Sequence, residues 1–185
     1  MARAKRLMLA GIEPLSPRRK WRAITLATLL LVPGYWSLVT GLVAEGSDKD
    51  SAPFAAPYIA FGLVLLPFVF LALAFLSEHP RAAGATARAL VLTILVGAPV
   101  SAFAGDAVTG FVAGVGAGGI MAMRADVAHS WKARAIAVLA VSAYVFILLR
   151  SAPVIALLLA PVLPFTSIGV ADHLSERRRE REARS

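Results

Sequence analysis

The chain has 185 residues, 58% of them hydrophobic and 16% charged, with a formal net charge of +8 and a mean hydropathy of +0.74. Soluble domains run about 45–50% apolar, so this composition excludes an ordinary water-soluble globule, and so much apolar surface equally excludes a disordered chain. The absence of cysteine removes disulfides, thiolate metal sites and a cysteine nucleophile, a usage compatible with a bacterial inner-membrane protein.

The pI near 10.8 would point a soluble protein toward nucleic acid. Here the basic residues flank apolar blocks, so they read as a topology signal and as attraction to membrane lipids, with no nucleic-acid partner expected. The leader, residues 1–22, mixes Leu7, Met8, Leu9 and Ile12 with basic residues. It reads as a surface-lying segment or a basic tail, with Pro14 and Pro17 expected to end any helix in it. The apolar run that follows is too long for a cleaved signal peptide.

A bilayer core of ~30 Å needs about 20 helical residues. Ala23–Val43 and Pro57–Leu76 meet that length, followed by Arg88–Ala104 and Ala107–Met123. The last apolar stretch, Ala135–Val170, is too long for one helix and is cut at Arg150-Ser151-Ala152-Pro153. The expectation is therefore an all-α polytopic transmembrane bundle of about six helices, the last four short. Residues 23–170 form the membrane domain and 171–185 a charged tail; four spans with re-entrant segments are the alternative layout. If the N-terminus is cytoplasmic, the basic residues of the leader, of the second and fourth connections and of the tail fall inside. These are 17 of the 19, leaving only Lys49 and Arg150 outside with Glu45, Asp48, Asp50 and Asp106. The positive-inside rule predicts this division, with both termini cytoplasmic. In the tail, Glu176/Glu180 and Arg177/Arg181 recur at helical spacing, which allows a continued helix ending as a solvated stop.

The sharpest local signal is Gly110, Gly114 and Gly118, one every fourth residue. Such a stripe lets helix backbones approach closely, and close van der Waals contact is what drives helix association in lipid. It fits contact with a helix of the same chain or of another protein. Pro33, Pro67, Pro99, Pro161 and Pro164 read as bends within spans. Ionisable groups are nearly absent from the spans, which counts against a pump or ion-coupled carrier. Hydroxyls such as Thr93, Ser101, Ser142, Thr166 and Ser167 are available to bond between helices. Three His/carboxylate neighbours, Glu78-His79, Asp126-x-x-His129 and Asp172-His173, carry metal-ligand chemistry but no recognised ligand spacing. Hydrolase elbows, phosphate loops and dinucleotide fingerprints are missing. Neither catalytic residues nor a cofactor are expected. Trp131, in the loop Arg124–Arg134, is a candidate partner contact or headgroup anchor.

The basic leader Ser16-Pro17-Arg18-Arg19-Lys20-Trp21-Arg22, the short helices, the glycine stripe and the Arg/Glu tail together resemble a small actinobacterial integral membrane protein. The layout is similar to that of the accessory membrane subunit accompanying mycobacterial Mce lipid transporters, over most of the chain. That resemblance implies association with permease subunits during lipid import and brings no catalytic residues. Three roles follow: a non-catalytic subunit of a larger membrane complex, a small oligomeric transporter or channel, and a metal-dependent enzyme built on the His/carboxylate pairs. The topology is tested with single cysteines at Ser47 and Ser185 of this cysteine-free chain. An impermeant reagent applied to intact cells labels the first and not the second; labelling of both overturns the orientation.

Overall fold

A computed structural model of the chain describes residues 15–46, 52–125 and 130–182, and all regular structure in them is helical. In chain order the helices are α1 (Pro17–Glu45), α2 (Ala52–Leu76), α3 (Ala82–Ala104), α4 (Ala107–Ala122), α5 (Ser130–Ser151), α6 (Pro153–Leu159) and α7 (Leu163–Glu182). Four of these helices contain stretches long and apolar enough to cross a membrane: Pro17–Glu45, Ala55–Leu76, Ala82–Ala104 and Trp131–Ser151. Counting α6 and α7, bent by 66° at their break, as one gives five. The remaining apolar helix, α4, has only 16 residues.

Several boundaries depart from the sequence reading for identifiable reasons. Helix α1 begins at Pro17, six residues before the expected Ala23: proline sits at the first helical position, where its missing N–H leaves no bond unmade, and Ser16 Oγ accepts from Arg19 N–H as the N-cap. The leader segment that Pro14 and Pro17 were expected to end lies outside the described residues. Helix α3 begins at Ala82 and α5 at Ser130, so both are longer than the short spans expected. Ser151 and Pro153 flank the anticipated cut. A second break falls at 160–162, where Pro161 separates α6 from α7 instead of bending one helix. Pro33, Pro67 and Pro99 do lie inside helices. The expected interhelical hydroxyl bonds are mostly local: Thr93, Ser142 and Thr166 donate to carbonyls four residues back along the chain. Ser37 Oγ does cross, donating to Tyr58 O of α2 at 2.7 Å.

The closest pairings are two antiparallel hairpins, α1 with α2 and α3 with α4. At the α3–α4 turn, Gly105 adopts φ +70°, the left-handed cap that favours glycine. Asp106 then caps α4, accepting from Thr109 N–H at 2.6 Å and from Thr109 Oγ1 at 2.9 Å.

Helix α4 is the axis of the bundle, touching α2, α3, α5 and α7. Such a helix needs small residues where its neighbours come closest, while Phe111, Ile120 and Met121 pack against the core elsewhere. The predicted stripe faces α3 of the same chain. A Cβ on Gly114 would lie 2.5 Å from Thr93 O and 3.0 Å from Gly97 Cα, and one on Gly110 would lie 2.7 Å from Gly97 O. A Cβ on Gly118 would lie 2.6 Å from Phe70 of α2. The stripe is thus covered from within. Two other glycines of α4, outside the stripe, let different neighbours in: Gly116 meets Val138 of α5, and Gly119 meets Phe165 and Ile168 of α7. Around this axis Ile24, Leu31, Val69, Phe70, Leu73, Val115, Met123, Phe165 and Ile168 form the main core, and Tyr35, Val112, Val145 and Ala160 a second cluster.

Gly114→Ala therefore forces two backbones apart, and a loss of about 1–3 kcal/mol is expected in detergent unfolding. Gly114→Leu is expected to prevent folding altogether. Gly84, where a Cβ meets nothing within 4 Å, is the matched comparison, and Gly84→Ala is expected to be neutral or stabilising by up to about 1 kcal/mol. Equal stability of the two alanine variants would show that the α3–α4 contact is looser than the geometry requires.

Candidate functional site: a charged clasp at one end of the bundle

Five segments meet at one end of the bundle: the start of α1, the α2–α3 turn, the residues after α4, the start of α5, and the middle of α7. Arg134, one turn into α5, is 1% exposed and Asp172 of α7 is 6% exposed. The guanidinium grips the carboxylate with two parallel bonds, Nε to Oδ1 at 2.7 Å and Nη2 to Oδ2 at 2.5 Å. Its other N–H groups donate to the carbonyls of Met123 (3.0 Å), Arg124 (2.9 Å) and Ile120 (3.5 Å). Those carbonyls belong to the end of α4, where helix geometry leaves oxygens without partners and concentrates partial negative charge. One arginine thus caps α4 and binds α7, a geometry that lysine's single point charge does not reproduce.

A second tie links Lys20 of α1 to Glu176 of α7. A third is centred on Glu78, whose carboxylate meets Arg19 of α1 on one oxygen and Arg124 Nη1 on the other, the latter at 3.7 Å. Glu78 stands at φ +53°. Its N–H bonds Phe75 O, and the N–H of His79 bonds Ala74 O at 2.9 Å. That pattern is a Schellman cap, whose left-handed position usually carries glycine. A side chain there costs about 1–2 kcal/mol of backbone strain, which the two cationic contacts help to offset. Ser77 Oγ completes the turn, accepting from Arg124 N–H at 3.1 Å.

The sequence-singled residues distribute as follows. Gly110, Gly114 and Gly118 lie on the α3-facing side of α4. Trp131 sits in the first turn of α5 rather than in a loop, 58% exposed, with Lys132 Nζ 5.9 Å from its ring centre. In the two described His/carboxylate neighbours, the acids are held by arginines: Glu78 by Arg19 and Arg124, Asp172 by Arg134. The third, Asp126 with His129, lies outside the described residues. No group of three His, Asp or Glu side chains suited to a metal ion occurs among the described residues. The Arg134–Asp172 pair was missed because its partners are 38 positions apart; the one available signal was an arginine and an aspartate each lying beside an apolar run. At the opposite end Arg150 stacks on Phe146, 3.5 Å from its ring centre, and donates to Ala104 O. Compared with family models, curated proteins and solved structures, the chain matches none.

Removing one member of a buried pair leaves the other uncompensated, at about 3–5 kcal/mol. Arg134→Ala is expected to lose that much in thermal unfolding, and Arg134→Lys to fall between it and the native chain. A melting temperature of Arg134→Ala within a degree of native would remove the pair from its structural role.

Proposed function

We propose that the chain is a multi-pass protein of the plasma (inner) membrane, with about six crossings and both termini cytoplasmic. It acts there as a non-catalytic accessory or stabilising subunit of a larger membrane complex. The observation that carries this reading is the saturation of Arg134. A buried charge in such a bundle is by default a candidate for binding an ion, a proton or a substrate. Here all five guanidinium N–H groups and both Asp172 oxygens already have partners within the chain. The pair therefore ties helices together and offers no free group for chemistry. That supports a structural role over an oligomeric channel and over a metal-dependent enzyme. The similarity of layout to the accessory subunit of Mce transporters supports a lipid importer's permease as the partner.

With the glycine stripe covered by α3, contact with a foreign helix falls to the outer surface. An open groove of about 610 Å³ runs between α5 and α7, floored by Ala133, Ala137, Ser167 and Ala171. Small residues at four-residue spacing on both walls allow the backbone of a further helix to come close. Purification from native membranes in mild detergent, with mass spectrometry of the co-purifying chains, tests the reading. Permease-type integral membrane chains at fixed stoichiometry are expected. Ala140→Trp, which fills the exposed side of the groove, is expected to lower their recovery at least tenfold without changing the melting temperature. A homo-oligomer without other chains, or stoichiometric metal, overturns the proposal.

A further inference from the structure

A second groove, of about 720 Å³, lies between the start of α1 and the α2–α3 turn. Its floor is apolar, made by Ala23, Leu26, Phe75 and Leu76, and its rim is polar, made by Arg19, Arg22 and His79. Leu26 and Phe75 are 46% and 72% exposed, so the floor opens outward. Arg22 stands one helical turn, about 6 Å, above Leu26 on the same face. A cation above and a hydrocarbon surface below match an amphiphile with an anionic head and an acyl chain.

The charge around the rim favours an anion throughout. The one acid lining the groove, Glu78, is neutralised by Arg19 and Arg124. Arg22 makes no ion pair or hydrogen bond among the described residues, and the exposed Arg81 immediately precedes α3. Helix α3 itself begins at Ala82, a groove residue, without a side-chain cap, which leaves the positive end of its dipole open. The pKa of His79 is drawn below the ordinary histidine value by burial and then by the charges of Arg88 and Arg124.

We propose that this groove is a binding site for one anionic phospholipid, its phosphate held by Arg22 and the first turn of α3 and an acyl chain lying on Leu26 and Phe75. A soluble anion would leave the apolar floor uncovered, and a zwitterionic lipid would bring its own cation against arginines. The site depends on the chain lying in a bilayer but not on any partner subunit, so it stands or falls separately from the accessory role.

Native mass spectrometry of the full chain, equilibrated in micelles holding equal phosphatidylglycerol and phosphatidylcholine, reads the site directly. One phosphatidylglycerol molecule is expected to be retained in preference to phosphatidylcholine. Arg22 is exposed and, among the described residues, unpaired, so Arg22→Gln leaves the fold intact, and it is expected to lower that retention about fivefold, the share of one basic residue near a headgroup. Leu26→Glu, on the exposed floor, is expected to abolish it. Arg177→Gln removes the same charge from the tail and is expected to leave retention unchanged. Equal retention of the two lipids, equal loss in Arg22→Gln and Arg177→Gln, or full displacement by excess inorganic phosphate would each overturn the assignment.

Discussion

The bidentate contact between Arg134 and Asp172 is the constraint on which the bundle depends, because it solves a length problem. Helix α4 is the central helix, yet its 16 residues reach only about 24 Å at 1.5 Å per residue, short of a ~30 Å apolar layer. Met123 and Arg124 then carry the chain out of α4 as non-helical backbone, and their carbonyls need donors wherever water is scarce. Arg134 supplies the donors, and Asp172 supplies the charge that makes burial of a guanidinium tolerable. A short helix, an irregular exit and a buried ion pair are one solution.

The shortness of α4 also explains its glycines. A central helix with neighbours on four sides must let backbone and side chains come close on several faces. The α3-facing stripe is the regular part of this pattern, and Gly116 and Gly119 extend it toward α5 and α7. The α1–α2 hairpin uses the same device: a Cβ on Gly62 would lie 2.7 Å from Gly34 O. Close backbone contact holds each hairpin, and ion pairs at the basic end hold the hairpins to α5 and α7. The middle of the bundle has few polar ties. Thr28 Oγ1 and Tyr35 OH are buried there without partners among the described residues, so dispersion carries that region.

Fold class, the apolar blocks, the tight α3–α4 turn and the break before Pro153 were legible in the sequence, since hydropathy, glycine spacing and proline act locally. The helix ends were less so. The helices are apolar nearly all round, and without an amphipathic stripe nothing phases one against another. Pro17 and Pro161 illustrate the ambiguity: proline favours a helix start as readily as it ends or bends a helix, and the outcome here turns on Ser16 as cap and on where α6 stops. The clasp was illegible for a different reason. Asp172 stands beside His173, so adjacency suggested metal-ligand chemistry. Its true partner, Arg134, reaches it only because α5 and α7 lie side by side. Glu78 was likewise noticed only as a neighbour of His79, because a left-handed glutamate paired with two arginines is a property of the turn and not of its neighbours in sequence.

Glu78 joins the two features of the basic end. Held in a conformation that glycine would adopt without strain, it is fixed by two arginines from different helices, so the α2–α3 turn cannot relax without releasing both α1 and the exit of α4. The same fixation neutralises the one acid lining the lipid-sized groove and sets the start of α3 beside Arg22. A glycine at this position would relieve the backbone, but it would untie Arg19 and Arg124 and leave the turn free to move. The strain is therefore stored where it does two things at once: it closes the clasp that holds the central helix, and it shapes the positively charged rim of the groove beside α1.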